Sequence, residues 1–133
     1  MIRLETNTAN DVVVTLNELA TLSTPYYLFE FISDDSNVSK IFTATNLSTS
    51  RSRYDQFDIT TTTGTEDLLN GVIDLETKGY YTYNIYEQVS PTNLELANIT
   101  SLVEVGKVYF NDAAKPVRKE YTEQPNNRNV YNG

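Results

Sequence analysis

Carboxylates are the only acid–base groups near neutral pH that this sequence could use for catalysis, because it contains no histidine and no cysteine. Catalysis by a pair of carboxylates needs two groups that converge and titrate at different pH values. The candidate pairs are Asp55 with Asp58 and Glu66 with Asp67. Asp55 and Asp58 lie three positions apart on a predicted strand, so they point to opposite faces, and we interpret them as solvated strand charges. We therefore expect no catalytic residues and no enzymatic activity.

The sequence offers little to a metal ion or a cofactor. Zinc sites built from thiolates or imidazoles are excluded by composition. The run Asp34-Asp35-Ser36-Asn37 carries oxygen ligands, but it lacks the spacing and the final glutamate of a calcium-binding loop, so it predicts a turn. Gly64 and Gly71 are not followed by the Gly-Lys-Ser/Thr ending of a phosphate-binding loop. We expect neither a metal nor a cofactor.

Charge and hydropathy exclude two classes of partner. The formal net charge is −8, whereas a broad nucleic-acid surface needs an excess of lysine and arginine. No stretch approaches the roughly 20 apolar residues of a membrane span. The sequence therefore predicts no nucleic-acid partner and no membrane partner.

Alternating apolar residues divide the first 112 residues into short segments typical of strands. These segments follow one another at spacings of about 8–14 residues with turn residues between them, a pattern that indicates a sandwich or a barrel. We predict strands near 2–5, 12–16, 26–33, 40–45, 54–59, 72–75, 80–88 and 102–110. Gly106 predicts a bulge, and Pro91 behind Ser90 predicts one or two helical turns.

The stretch Asp74 to Gln88 specifies which kind of sandwich. Its spacing of Leu75, Gly79 and Tyr81 is that of the corner between the fifth and sixth strands of an immunoglobulin-like domain, where a tyrosine hydroxyl bonds back across the turn. Tyr83 stands where such domains often carry a disulfide cysteine. We predict an all-β, immunoglobulin-like sandwich of about seven or eight antiparallel strands held by aromatic packing.

The C-terminal segment differs from the rest of the chain. Residues 1–112, the predicted sandwich domain, contain 6 basic and 16 acidic residues, whereas residues 113–133 contain 4 basic and 2 acidic ones. The segment has two prolines and no strand period, yet it keeps aromatic and β-branched residues that disordered tails usually lack. We predict an extended arm that contacts a neighbouring subunit. The predicted contact residues are Lys115, Arg118, Lys119, Tyr121, Arg128 and Tyr131.

Ten tyrosines leave a second function open. Exposed tyrosines, together with the long connection Thr60 to Asn70, could form a carbohydrate- or cell-surface-binding face. The simpler interpretation places Tyr27, Tyr81 and Tyr83 in the core and the other tyrosines half-exposed on the sheet faces.

Several segments of the sequence resemble small structural proteins of crAss-like tailed bacteriophages. The segments are M-I-R-L-E-T-N-T, Y-Y-L-F-E-F with its D-D-S-N turn, G-Y-Y-T-Y-N-I-Y-E-Q, L-V-E-V-G-K-V-Y and N-V-Y-N-G. The resemblance implies a non-enzymatic virion protein, made in the bacterial host cytoplasm. It also implies an auxiliary or decoration protein that docks on the major capsid protein, on a head-fibre protein or on itself. A module of a head fibre or tail is the alternative.

Overall fold

The computed structural model describes residues 1–16, 18–23 and 25–112. These residues form eight strands, each at a position where the alternation of apolar residues predicts one. In chain order the strands are β1 (Ile2–Glu5), β2 (Ala9–Val14), β3 (Tyr26–Ser33), β4 (Ser39–Thr43), β5 (Asp55–Thr61), β6 (Val72–Ile73), β7 (Gly79–Gln88) and β8 (Ser101–Asn111). The only helical element in the described ranges is a short 3-10 turn at Leu96–Asn98.

The strands form two sheets, with the orders β1-β8-β7-β3-β4 and β2-β5-β6. In an immunoglobulin-like sandwich the sixth strand lies between the third and the seventh, and the second pairs with the fifth in the opposite sheet. Strands β3, β7 and β8 occupy the first set of places, and β2 with β5 occupies the second. The predicted all-β sandwich is therefore confirmed.

The prediction that all strands are antiparallel is wrong for two pairs. Strand β1 runs parallel to β8, with Ile2 opposite Val108. Parallel neighbours need a long connection between them, and here β2 to β7 with their loops provide it. Strand β6 runs parallel to β5, with Thr60 opposite Val72, because the connection 62–71 returns the chain to the same end of the sheet.

Aromatic side chains from both sheets fill the space between them. Phe29 stacks on Phe42, with ring centroids 5.1 Å apart, and meets the edge of Phe57 from the other sheet at 4.9 Å. Tyr27 and Phe31 lie on the same inward face of β3 and belong to the same buried cluster. This confirms the predicted core face of β3, and aromatic edge contacts of this kind add stability beyond the area they bury.

The predicted tyrosine corner is present at the start of β7. The Tyr81 hydroxyl donates a hydrogen bond to the backbone carbonyl of Thr77, four residues upstream. Gly79 between them has φ +124°, a conformation that favours glycine, and Leu75 is buried beneath the turn. Burial raises the pKa of Tyr81, so its hydroxyl stays protonated and available as a donor at neutral pH.

Gly106 makes room for Tyr83 and does not form the predicted bulge. A Cβ atom at Gly106 would lie 2.5 Å from the Tyr83 ring, which packs directly over the glycine on the neighbouring strand. The bulge lies instead at Val103, which has no partner on β7 because the register shifts there. The aromatic ring that replaces a disulfide in this core therefore depends on a glycine opposite it.

The helical turns predicted after Pro91 are absent. The Asn93 side chain donates hydrogen bonds to the Gln88 side chain at 2.6 Å and to the carbonyl of Glu95 at 2.9 Å. Such local side-chain bonds compete with helix formation, and the 3-10 turn begins only at Leu96.

Candidate functional site

The six predicted contact residues of the arm, Lys115 to Tyr131, lie outside the residues that the structure describes. Strand β8 ends at Asn111, where it pairs with the end of β1, one residue before the last described residue. The predicted boundary between a sandwich domain, 1–112, and an arm, 113–133, stays a prediction.

The described residues contain one extended candidate surface, the outer face of β7 and β8. Side chains alternate along a strand, so the residues that neighbour Tyr81 and Tyr83 point away from the core. The pairing register places Tyr80 opposite Tyr109 and Asn84 opposite Val105 on this outer side. We call this surface the β7–β8 face; it consists of Tyr80, Thr82, Asn84, Tyr86, Leu102, Val105, Lys107 and Tyr109.

Large apolar and aromatic side chains of the β7–β8 face are exposed to solvent. Tyr80, Val105 and Leu102 are 52%, 56% and 50% exposed. The rings of Tyr80 and Tyr109 lie 4.8 Å apart, and exposed Met1 lies beside Tyr80 at the end of the face. Single exposed apolar residues are ordinary, but several on two neighbouring strands of an acidic domain mark a surface suited to a protein partner.

Polar groups on the β7–β8 face are held in fixed positions. The Lys107 Nζ atom lies 2.8 Å from Asp34 Oδ2 and 3.0 Å from the Thr82 hydroxyl, which in turn donates to Asp34. The hydrogen bonds from Lys107 and Thr82 lower the pKa of Asp34. The ammonium group of Lys107 is therefore held in a fixed position beside Thr82 on the β7–β8 face.

The buried carboxylate of Glu30 lies beside the β7–β8 face, on the neighbouring strand β3, where the register places it opposite Asn84. Glu30 accepts hydrogen bonds from the Tyr86 hydroxyl at 2.9 Å and from the Asn84 amide at 3.0 Å. Burial, reinforced by the hydrogen bond to Glu30, raises the pKa of Tyr86 to about 12. Both β7 side chains are thereby fixed in one orientation, which reduces the side-chain entropy that docking would cost.

Asp55 is buried, so its interpretation as a solvated strand charge is wrong. Its carboxylate accepts hydrogen bonds from the Leu16 backbone N–H at 2.9 Å and from the Asn46 amide at 2.7 Å. The side chain of Asp58, by contrast, is exposed on the other side of β5. The two carboxylates do not converge, as their strand spacing predicts.

The other predicted carboxylates have structural partners. Glu66 pairs with Lys40 at 2.6 Å and accepts the backbone N–H of Asp74 at 2.8 Å, and the Lys40 ammonium lowers its pKa. Asp67 accepts a hydrogen bond from Asn70 at 2.7 Å. These contacts position the connection between β5 and β6.

The connection 62–71, which the sequence predicts as Thr60 to Asn70, is held against the edge of the five-stranded sheet. The Thr43 backbone N–H at that edge donates to the Leu68 carbonyl at 2.7 Å, and the Thr43 hydroxyl donates to the Leu69 carbonyl at 3.1 Å. This segment covers the edge strand β4, a common protection against edge-to-edge pairing.

The Asp34–Asn37 run forms the predicted turn. The Asn37 N–H donates to the Ser33 carbonyl, and the Ser33 N–H donates to Val38. Within the described ranges, no group of three or more histidine, cysteine, aspartate or glutamate side chains is placed to hold a metal ion.

Sequence reasoning missed the buried carboxylate of Glu87. It is fully buried and accepts hydrogen bonds from the Thr21 hydroxyl at 2.7 Å, the Leu22 N–H at 2.8 Å and the Ser101 hydroxyl at 2.5 Å. Burial alone would raise its pKa, but the hydrogen bonds outweigh burial and lower it. The only signal in the sequence is the odd-numbered position of Glu87, which it shares with inward-facing Tyr81, Tyr83 and Ile85.

The fold and the β7–β8 face define an all-β sandwich with a half-exposed aromatic and aliphatic surface. The tyrosines divide as the simpler interpretation predicts: Tyr27, Tyr81 and Tyr83 are buried, while Tyr26 and Tyr80 are exposed.

No family model, no curated protein and no solved structure matches this chain. No helix in the described ranges is long and apolar enough to cross a membrane.

Proposed function

We propose that this chain is a non-enzymatic structural protein of a bacteriophage virion, an auxiliary or decoration protein that docks through the β7–β8 face. The observation that carries the docking is the exposure of Tyr80, Val105 and Leu102 on two neighbouring strands. The assignment to a virion is supported by the resemblance of the sequence to crAss-like phage proteins.

The properties of the face match those of an interface centre. Aromatic side chains are enriched in such centres, and charged side chains are depleted. Here Lys107 is the one cation on the face, and it is already paired with Asp34. Tyr80 and Tyr109 add large contact areas at little entropic cost, since tyrosine has few rotatable bonds.

Docking on a capsid lattice is multivalent. Each copy contributes a modest contact, and neighbouring copies raise one another's effective concentration. The basic residues of the arm, Lys115, Arg118, Lys119 and Arg128, carry a charge opposite to that of the acidic domain. We propose that the arm reaches an adjacent subunit and adds a second contact to the one made by the face.

A matched pair of substitutions tests the face. Val105→Glu places a charge at the centre of the β7–β8 face and should reduce incorporation of the protein into virions at least about tenfold, because a buried unpaired charge costs more than one hydrogen bond. Val13→Glu makes the same change on β2 of the other sheet, where the valine is 57% exposed, against 56% for Val105.

The control variant should be incorporated at the wild-type level, as measured by quantitative mass spectrometry of purified particles. Circular dichroism should show both variants folded. Equal incorporation of folded Val105→Glu and wild-type protein would remove the face from the proposal.

A further inference from the structure

A cleft lies at the end of the sandwich where three connections meet. These are the connections from β2 to β3, from β4 to β5 and from β7 to β8, and in variable immunoglobulin domains the corresponding end carries the recognition loops. The cleft has a volume of about 130 Å³, with Tyr26, Tyr27, Arg51 and Pro91 among its lining residues. This space accommodates one ring-sized group.

Two hydrogen-bond donors at the cleft have no strong partner in the part of the chain that the structure describes. Tyr27 is only 5% exposed, and its hydroxyl has no hydrogen-bond partner within 1–16, 18–23 and 25–112. The Arg51 guanidinium forms a single long contact, 3.5 Å to the Asn46 carbonyl, and no ion pair with a described residue. A buried tyrosine hydroxyl normally finds a partner, so a hydroxyl without one among the described residues is available to donate to a ligand.

The charges around Tyr27 favour a neutral ligand. Burial, together with the carboxylates of Asp55 and Glu87, raises the pKa of Tyr27 to about 12, so the phenol remains a donor at neutral pH. The Arg51 guanidinium acts on the same hydroxyl in the opposite direction, so charges of both signs surround it and neither an anion nor a cation meets a complementary field. The ligand that suits these surroundings is an uncharged group with acceptor oxygen atoms.

The cleft walls favour a sugar over a peptide. Tyr26, half-exposed, and Pro25 and Pro91 offer apolar surfaces for the C–H face of a ring. A peptide that added a strand would need free backbone donors, but the Thr43 N–H in the wall is already bonded to the Leu68 carbonyl. The contacts match a ring with many hydroxyl groups.

We propose that this cleft binds a neutral sugar ring, with the Tyr27 hydroxyl and the Arg51 guanidinium donating hydrogen bonds to its oxygen atoms. The site is separate from the β7–β8 face and does not depend on the docking proposed above. It would give the domain a glycan-binding activity at the loop end of the sandwich.

Tyr27→Phe is the decisive variant, because it removes the hydroxyl and keeps the ring that packs against Phe57 at 6.2 Å. The protein, labelled with ¹⁵N, is titrated with glucose, galactose, mannose and N-acetylglucosamine while its backbone amide signals are followed by NMR. At least one sugar should shift the amides near Tyr26 and Ala44. Tyr27→Phe should weaken that binding at least about tenfold, as expected for a lost buried hydrogen bond.

The same substitution should leave the thermal stability of the free protein unchanged or higher, since it removes a buried hydroxyl that none of the described residues pairs. Tyr80→Phe on the β7–β8 face is the matched control and should bind the sugar like the wild type. Three outcomes would overturn the proposal: no sugar shifts the cleft amides, Tyr27→Phe binds equally well, or Tyr27→Phe lowers the stability, which would show that the hydroxyl is already paired.

Discussion

Replacing Glu87 by glutamine should lower the free energy of unfolding by about 3 kcal/mol, since charged hydrogen bonds are lost and buried donors are left unpaired. The carboxylate of Glu87 accepts from the backbone N–H groups of Thr21 and Leu22 and from two hydroxyls. Glutamine has the same shape but only one acceptor oxygen, and its amide would face donors. Urea denaturation at pH 7 measures the difference.

The pH dependence of this effect is fixed by the direction of the pKa shift. The pKa of Glu87 is lowered in the folded protein from its ordinary value of 4.5. Its contribution to stability is therefore fully present above the unfolded pKa and is lost as the pH falls through the folded pKa. The gap between wild type and Glu87→Gln should shrink as the pH is lowered below 4.5.

Glu18→Gln is the matched control for this experiment, because Glu18 is an exposed carboxylate in the connection that Glu87 anchors. It should change stability by no more than about 0.5 kcal/mol, the usual range for surface substitutions. A Glu87→Gln protein as stable as Glu18→Gln at pH 7 would mean that the carboxylate does not hold this connection.

Replacing Gly106 by alanine should destabilise the domain by about 2 kcal/mol, within the range for overpacked cores. The new Cβ atom would lie 2.5 Å from two atoms of the Tyr83 ring. That ring is buried, and its hydroxyl donates to Glu104 at 2.5 Å, so it cannot move without losing this bond. Thermal and urea denaturation measure the loss.

Gly64→Ala provides the comparison for Gly106→Ala, since the nearest atom to a Cβ at Gly64 is 3.6 Å away. It should be neutral or slightly stabilising, because alanine has less freedom to lose on folding. Adding Tyr83→Leu should relieve much of the penalty of Gly106→Ala, because the smaller side chain leaves room for the Cβ atom. Additive effects of the two substitutions would contradict the proposed contact.

Local patterns were sufficient to predict the strands and the corner. The period-two alternation around Phe29 and Tyr83 reflects one buried and one exposed face, a property of neighbouring residues. The bond from Tyr81 to Thr77 spans four residues, so its spacing is readable from the sequence. The sandwich follows from many such short segments.

Contacts between distant segments were not predictable from local patterns. Asp55 is buried where the fold brings it against Leu16, its hydrogen-bond partner 39 residues away in the sequence. Glu87 is buried against Thr21, its partner 66 residues away. The role of Gly106 depends on a ring in another strand, and the parallel pairing of β1 depends on where the last strand falls. In each case the decisive neighbour is specified only by the complete fold.

The two candidate surfaces also contain some features that local patterns predict and others that depend on the complete fold. The exposed position of Tyr80 follows from strand alternation, whereas the exposure of Val105 and Leu102 together depends on how β8 pairs with β7 across its bulge. The cleft at Tyr27 requires three connections to meet, which no local pattern specifies.

An electron cryo-microscopy reconstruction of the virion tests the central claim, that the β7–β8 face and the arm dock this domain in an assembly. The map should place the outer side of Tyr80, Leu102 and Val105 against a neighbouring subunit. It should also show residues 113–133 in contact with an adjacent copy or with the capsid protein. A particle that lacks this chain, or one in which the face and the arm both point into solvent, would contradict the account.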